Sequence, residues 1–187
     1  TGQKVMEDET TATLKLRGGP VSRLSIAGLS PVASACASFA HSLGFDVIVC
    51  DPRPEEVRHF NLPGVTLRQE LPSMWIAREG CHGATAVVAL THDPKIDDTA
   101  LMEAVKTDAF YIGVMGSLRT SEKRRERLLR IGGLSEQQIE RIRMPIGLNI
   151  GSKTPAEIAL AVMADIIRVR EGIPPHKVVS RLTPVTH

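Results

Sequence analysis

Short uncharged runs alternate along this chain with longer stretches whose apolar residues recur every three or four positions. Leu24–Ala27 is a short, largely apolar run that stops at Gly28, which predicts a buried strand. Pro31–Leu43, rich in Ala and Ser, predicts a helix that Gly44 ends in a left-handed turn. Val47–Cys50 is β-branched and uncharged, as a strand covered on both faces should be. Val65–Leu67 predicts a weak third strand, Ala84–Leu90 the strongest fourth and Ala109–Val114 a fifth. Between the last two the pattern predicts a helix from about Thr99 to Lys106, capped by Asp97 or Asp98. Ser121–Ile131 predicts a strongly basic helix closed by Gly132-Gly133, and Ser135–Gln138 is a capping box that opens another. Pro145–Ile150 predicts a short sixth strand. Thr154-Pro155-Ala156-Glu157 combines a cap, a proline at the first helical position and an acid three residues on. Ile158, Val162, Ile166 and Val169 then form an apolar stripe at helical spacing, and Gly172 ends the helix.

Strands that alternate with helices imply parallel pairing and right-handed crossovers. The fold class expected is α/β, a Rossmann-like, doubly wound and mostly parallel sheet with helices on both faces. It spans residues 23–172. Residues 1–22 read as an arm or linker, with an extended piece at Ala12–Leu16 and a turn at Gly18-Gly19-Pro20. Residues 173–187 read as a Pro-rich tail.

At 187 residues, 42% of them hydrophobic and 24% charged, the chain can bury one full core. A net charge of +2 gives no strong pull towards DNA or membranes. Aromatic residues are 3% of the total, too few for a surface that stacks single-stranded nucleic acid. Cys36, Cys50 and Cys81 match neither a disulfide framework nor a metal spacing, and Cys81, flanked by glycines, is the reachable one. No apolar run is long enough to span a bilayer and no secretory signal opens the chain, so a cytoplasmic protein is expected. The start at Thr1-Gly2-Gln3 suggests a fragment of something longer.

The turn Gly28-Leu29-Ser30-Pro31-Val32-Ala33 stands where a dinucleotide-binding unit has its glycine-rich turn. Gly28 fills the first glycine position and Ala33 the third, but Ser30 replaces the second, where a glycine would let a pyrophosphate approach. Asp51, at the end of the second strand, stands where an acid holds a ribose; Arg53 suits a ribose phosphate instead. In the alternative, the turn is only a turn and Asp51 caps a loop. Thr91, His92 and Asp93, followed by Lys95, Asp97 and Asp98, leave the fourth strand at the end where open sheets bind ligands. His92 is the candidate acid, base or ligand. The loop acids would cap the next helix or, with His92, face a divalent ion, although no spacing enforces a metal site. Gly116, Ser117 and Arg119 follow the fifth strand and offer backbone amides and a guanidinium fork to an anion. The basic run from Lys123 to Arg130 is interleaved with Glu122 and Glu126 and reads mainly as a solvated face, with one or two of its cations left to point at the cleft. Gly147 and Gly151 lead to the Thr154 helix start, a ready anion site or a mere edge turn.

The segments "LGFDVIVCDPRPE", "LTHDPKIDDTAL", "YIGVMGSLRTSEKRRERL" and "PIGLNIGSKTPAEIALAVMADII" together resemble the C-terminal Rossmann domain of the XdhC/CoxI family, over roughly Arg23 to Gly172. The resemblance implies a maturation factor, a chaperone rather than an enzyme, for molybdenum hydroxylases such as xanthine dehydrogenase or carbon monoxide dehydrogenase. It implies molybdopterin or molybdopterin cytosine dinucleotide as the cofactor held. The partners it implies are a cysteine desulfurase for sulfuration and the apo-hydroxylase as recipient. The binding residues carried over are Gly28, Asp51, the His92 loop and the Ser117–Arg119 turn. Two features depart from the family. Ser30 and Pro31 replace the second glycine and the His of its Gly-Ala-Gly-His turn, so ordinary dinucleotide binding is not implied here. The separate N-terminal domain of full-length members is not seen either, which points to a fragment or a short stand-alone form. Two readings stand beside this one: an NAD(P)-dependent oxidoreductase with His92 as acid or base, and a degenerate Rossmann module that serves as an interface. A homodimer through the last helix is open, with core packing as the equal alternative.

Overall fold

A computed structural model describes residues 20–178. The extended piece at Ala12–Leu16, most of the 1–22 arm and the end of the tail lie outside the described residues. Six strands form one sheet: β1 (Arg23–Ala27), β2 (Asp46–Cys50), β3 (Thr66–Arg68), β4 (Thr85–Ala89), β5 (Tyr111–Val114) and β6 (Ile142–Arg143). Their order is β3-β2-β1-β4-β5-β6, and every pairing is parallel. The sheet is therefore wholly rather than mostly parallel, and the chain reverses its direction of winding between β1 and β4. Among the described residues there are seven α-helices, six in the connections between strands and the last after β6: α1 (Pro31–Ser42), α2 (Pro54–His59), α3 (Pro72–Glu79), α4 (Pro94–Ala104), α5 (Leu118–Arg130), α6 (Glu136–Glu140) and α7 (Pro155–Arg170).

Side chains alternate across the central strands because the pleat has a period of two. Leu24, Ile26, Val88 and Leu90 face one layer, where they meet Ala33, Ala37 and Ala40 of α1 and Val162, Met163 and Ile166 of α7. Ala27, Val87, Ala89 and Val114 face the other, against Ile76 of α3, Leu101 of α4 and Leu128 of α5. The α7 stripe packs into the core: Val162 and Ile166 are fully buried, and Ile158 and Val169 pack partly against it. Among the described residues no helix is long and apolar enough to cross a membrane. Burial pushes the Cys36 and Cys50 thiols up to about 12. Cys81 is half-buried beside a hollow of about 330 Å³, at the end of the sheet where β4 begins.

Four sequence expectations shift. The helix placed at Thr99–Lys106 starts five residues earlier, at Pro94, because Asp93 is its cap and accepts from the Lys95 amide. Asp97 and Asp98 do not cap it; both are buried inside it. The basic helix starts at Leu118 rather than Ser121, with the Ser117 hydroxyl accepting from the Thr120 amide. The sixth strand is Ile142–Arg143, and Pro145–Ile150 is a loop that follows a cis Met144–Pro145 bond. Two short helices, α2 and α3, lie where no regular element was expected; a proline opens each.

Gly28 has φ +87°, and a Cβ built on it would lie 2.2 Å from Thr91 Cγ2. Gly44 has a similar φ of +83° with nothing within 4 Å. Both Gly28→Ala and Gly44→Ala incur left-handed strain of about 1–2 kcal/mol. Only Gly28→Ala adds a steric overlap of about 1–3 kcal/mol. Urea denaturation should therefore find Gly28→Ala less stable than Gly44→Ala by that overlap; equal losses would show that the β4 loop yields freely.

Candidate functional site

A cleft of about 580 Å³ opens beyond the carboxyl ends of β4, β5 and β6. His92 enters it from the loop after β4, Met115–Leu118 from the turn after β5, Pro145–Asn149 from the loop after β6, and Ile158 from α7. Met115, Ile146, Leu148 and Ile158 make an apolar wall. Opposite lies the N-terminal turn of α5, whose aligned amides carry partial positive charge. The Thr120 and Ser121 amides are taken by Ser117, while those of Leu118 and Arg119 have no partner among the described residues. Such a site suits a flat, largely apolar ring system that carries an anionic group. Among the described residues that line it, no hydroxyl or thiol is hydrogen-bonded to a histidine or a carboxylate.

The floor of the cleft is held by Asp97, which is fully buried. Its Oδ1 accepts from the Thr91 hydroxyl at 2.7 Å and the Thr91 amide at 3.3 Å, and its Oδ2 accepts from the His92 amide at 2.9 Å. The Thr91 hydroxyl in turn accepts from the Asp93 amide at 3.0 Å. This web keeps His92 at φ +68°, the one positive φ outside glycine among the described residues. Burial pushes the Asp97 carboxyl above its ordinary range, against the opposing pull of the Thr91 hydrogen bonds and the Arg124 charge. Arg124, itself buried, ties the two loops together. It donates from Nε to Asp98 at 2.9 Å and from Nη1 to the Met115 carbonyl at 3.2 Å, and its Nη2 stands 4.0 Å from Asp97. Arg127 reaches the other Asp98 oxygen at 2.6 Å. In sequence, Asp97 reads as a cap or a metal ligand, and Arg124 as part of a run that is mainly a solvated face with one or two cations directed at the cleft. Charged residues inside amphipathic helices are nonetheless a visible signal.

The sequence-named residues fall into two groups. His92, Gly116 and Ser117 line the cleft, and Thr91 and Asp93 shape its floor loop. Arg119 lies exposed just outside. Gly28, Ser30, Asp51 and Arg53 sit at the ends of β1 and β2 and do not line it. Ser30 caps α1 by accepting from the Ala33 amide at 3.0 Å. Asp51 is fully buried; it accepts from the Leu29 amide at 2.6 Å and the Arg53 amide at 2.7 Å, and its Oδ2 pairs with Arg53 Nη2 at 2.7 Å. A ribose would have to displace those donors, so the loop-capping alternative describes Asp51 as it stands. Arg53 also donates to the Leu29 carbonyl at 2.8 Å. Among the described residues no group of His, Cys, Asp or Glu is placed to hold a metal ion. The α7 start is filled from within: Glu157 accepts from the Lys153 and Thr154 amides at 3.0 Å, and those bonds lower its carboxyl.

Asp97→Asn presents an NH2 group to at least one backbone or hydroxyl donor. It should cost about 1–3 kcal/mol and speed hydrogen exchange at the His92 amide. The pH dependence has a definite sign. A folded carboxyl that titrates above its unfolded value of about 3.9 makes the native state the better proton binder in between. Wild-type stability should therefore fall as pH rises through that window, and the Asp97→Asn curve should lack that component. Urea melts at several pH values check both; a shared slope would remove Asp97 as its source.

The family profile described as the XdhC Rossmann domain matches residues 24–166. The uncharacterized protein YqeB of Escherichia coli is 32% identical over 81% of this chain and 28% of its own length. A probable xanthine dehydrogenase subunit of Bacillus subtilis is 30% identical over 89% of this chain and 48% of its own. The molybdenum cofactor insertion chaperone PaoD of Escherichia coli is 30% identical over 81% and 41% respectively. A crystal structure described as a xanthine dehydrogenase from Bacillus halodurans superposes with a TM-score of 0.69 at 26% identity, over 85% of this chain and 45% of that one. The chain thus spans less than half the length of each of these relatives. It belongs to the XdhC family, whose Rossmann domain it carries at residues 24–166.

Proposed function

We propose that this chain holds the molybdenum cofactor for a molybdenum hydroxylase and passes it to the apo-enzyme. The observation that carries the reading is the cleft itself, with an apolar wall, an open helix N-terminus and one imidazole, and without a nucleophile–base pair. Molybdopterin joins a pterin ring system to a side-chain phosphate, which matches the two sides of the cleft. The family supports the reading, because the PaoD relative is named an insertion chaperone and the Bacillus subtilis relative a xanthine dehydrogenase subunit. In this reading the cargo is molybdopterin or its cytosine dinucleotide. The partners are an apo molybdenum hydroxylase of the xanthine or carbon monoxide dehydrogenase type and a cysteine desulfurase that supplies sulfur. In this reading the protein acts in the cytoplasm as a chaperone.

Purified protein should bind molybdopterin or its cytosine dinucleotide at micromolar concentration, followed by quenching of pterin fluorescence. No binding of either form would end the reading for this chain, and a thermal shift with NAD or NADP instead would favour the oxidoreductase alternative. His92→Gly separates site from scaffold. Relief of left-handed strain, about 1–2 kcal/mol, largely offsets the backbone entropy a glycine adds, about 0.5–1 kcal/mol. Its stability should stay near wild type while cofactor affinity falls about tenfold, the loss expected for one polar contact. Unchanged affinity would remove His92 from the site.

A further inference from the structure

A second hollow, of about 550 Å³, adjoins the cleft and shares Pro145, Gly147, Leu148 and Asn149 with it. Its far side is built by Arg143 of β6, by Asp165 and Arg168 of α7, and by Pro175 and Val178. The charges in this wall are not equivalent. Asp165 is buried and has both oxygens engaged: Oδ2 accepts from the Tyr111 hydroxyl at 2.7 Å, and Oδ1 from Arg168 Nε at 2.9 Å with Nη2 at 2.8 Å. Arg168 spends its remaining arm on the Ile173 carbonyl at 2.7 Å. Those two residues neutralise each other. Arg143 is different. Its guanidinium carbon lies 5.2 Å over the centre of the Tyr111 ring, and it has neither an acidic nor a hydrogen-bonded partner among the described residues.

Stacking on an aromatic face fixes the plane of a guanidinium and leaves its in-plane N–H edge free. An exposed cation without a partner, such as Arg119, keeps its water. Arg143 is half-buried, so part of its hydration is already lost and an anion can replace the rest at small cost. The hollow is therefore left with one uncompensated positive charge, presented as a fork. Each hollow alone falls within the roughly 300–1,000 Å³ of an ordinary small-molecule site. Together they accommodate a ligand of two such parts joined across the Pro145–Asn149 loop.

The geometry points to a phosphate subsite beside β6: the phosphate-bearing outer part of a two-part, nucleotide-like ligand crosses the Pro145–Asn149 loop and rests on Arg143. The subsite rests on the reading of the adjoining cleft as a cofactor site. Arg143 binds the ligand, Tyr111 supports the guanidinium, and the Tyr111–Asp165–Arg168 group keeps the rest of the wall neutral.

The test is a titration of the isotope-labelled full chain with pyrophosphate and with malonate, followed by NMR. Pyrophosphate should move the Arg143 and Asn149 amides and the Arg143 side-chain N–H. Arg143→Met keeps the apolar stem over Tyr111 and should weaken pyrophosphate about tenfold. Arg143→Lys keeps the charge without the fork and should weaken it less, which covers any loss of packing in the first variant. Malonate should bind at least tenfold more weakly. The subsite is overturned if pyrophosphate leaves Arg143 and Asn149 unmoved, if Arg143→Met binds it as wild type does, or if malonate matches it. Failure of the cofactor reading looks different: molybdopterin does not bind, while the pyrophosphate response at Arg143 persists.

Discussion

Two loops that leave neighbouring strands must stay in fixed register for the cleft to exist, and buried charge holds them there. Asp97 gathers the amides and hydroxyl of the loop after β4, and Arg124 grips the carbonyl of Met115 in the turn after β5. Buried carboxylates and guanidinium groups are costly to desolvate, and matched apolar residues often stabilise a core as well. What apolar residues do not supply is direction. A carboxylate with three donors on it permits one arrangement of those donors, and the arrangement here includes a histidine in a backbone conformation that histidine seldom adopts. The strain at His92 is a local cost met by the surrounding hydrogen bonds, as is common where a side chain must point into a site.

The same economy shows at the Gly28 turn, which does not line the cleft. Its features are used up in holding the fold. Gly28 is a glycine because Thr91 packs against it, Ser30 is a helix cap, and Asp51 knits β1 to the Arg53 loop. The cleft lies one strand further out, over β4, β5 and β6. The winding reversal itself lies between β1 and β4, beside the cleft rather than under it. The loops after β5 and β6 give the cleft its depth.

The architecture was legible because its signals are local. β-Branched runs, a left-handed glycine after α1 and two capping boxes each mark an element without help from the rest of the chain. Local signals mislead where tertiary context decides. Asp97 and Asp98 look like caps in sequence, since nothing local shows that Arg124, 26 or 27 positions on, will come to meet them. Pro145–Ile150 has the apolar content of a strand, but the sheet has already used Ile142–Arg143 and the following turns wrap over the cleft. Among the candidate residues, those at strand ends were easy to name. Whether each faces a ligand or a neighbour was not, because a carboxylate after a strand looks the same in either role.

Two helix N-termini flank the cleft, those of α5 and α7, and their amides would attract the same kind of charge. At α7 the chain's own Glu157 already occupies that position, bonded to the amides of Lys153 and Thr154. At α5 the cap is a neutral serine, and the field beyond it is uncancelled. An anion that enters the cleft therefore meets one helix start already answered by a carboxylate and one that is not. The built-in carboxylate makes the cleft one-sided in charge: a negative group stands at the start of α7 and none in the first turn of α5.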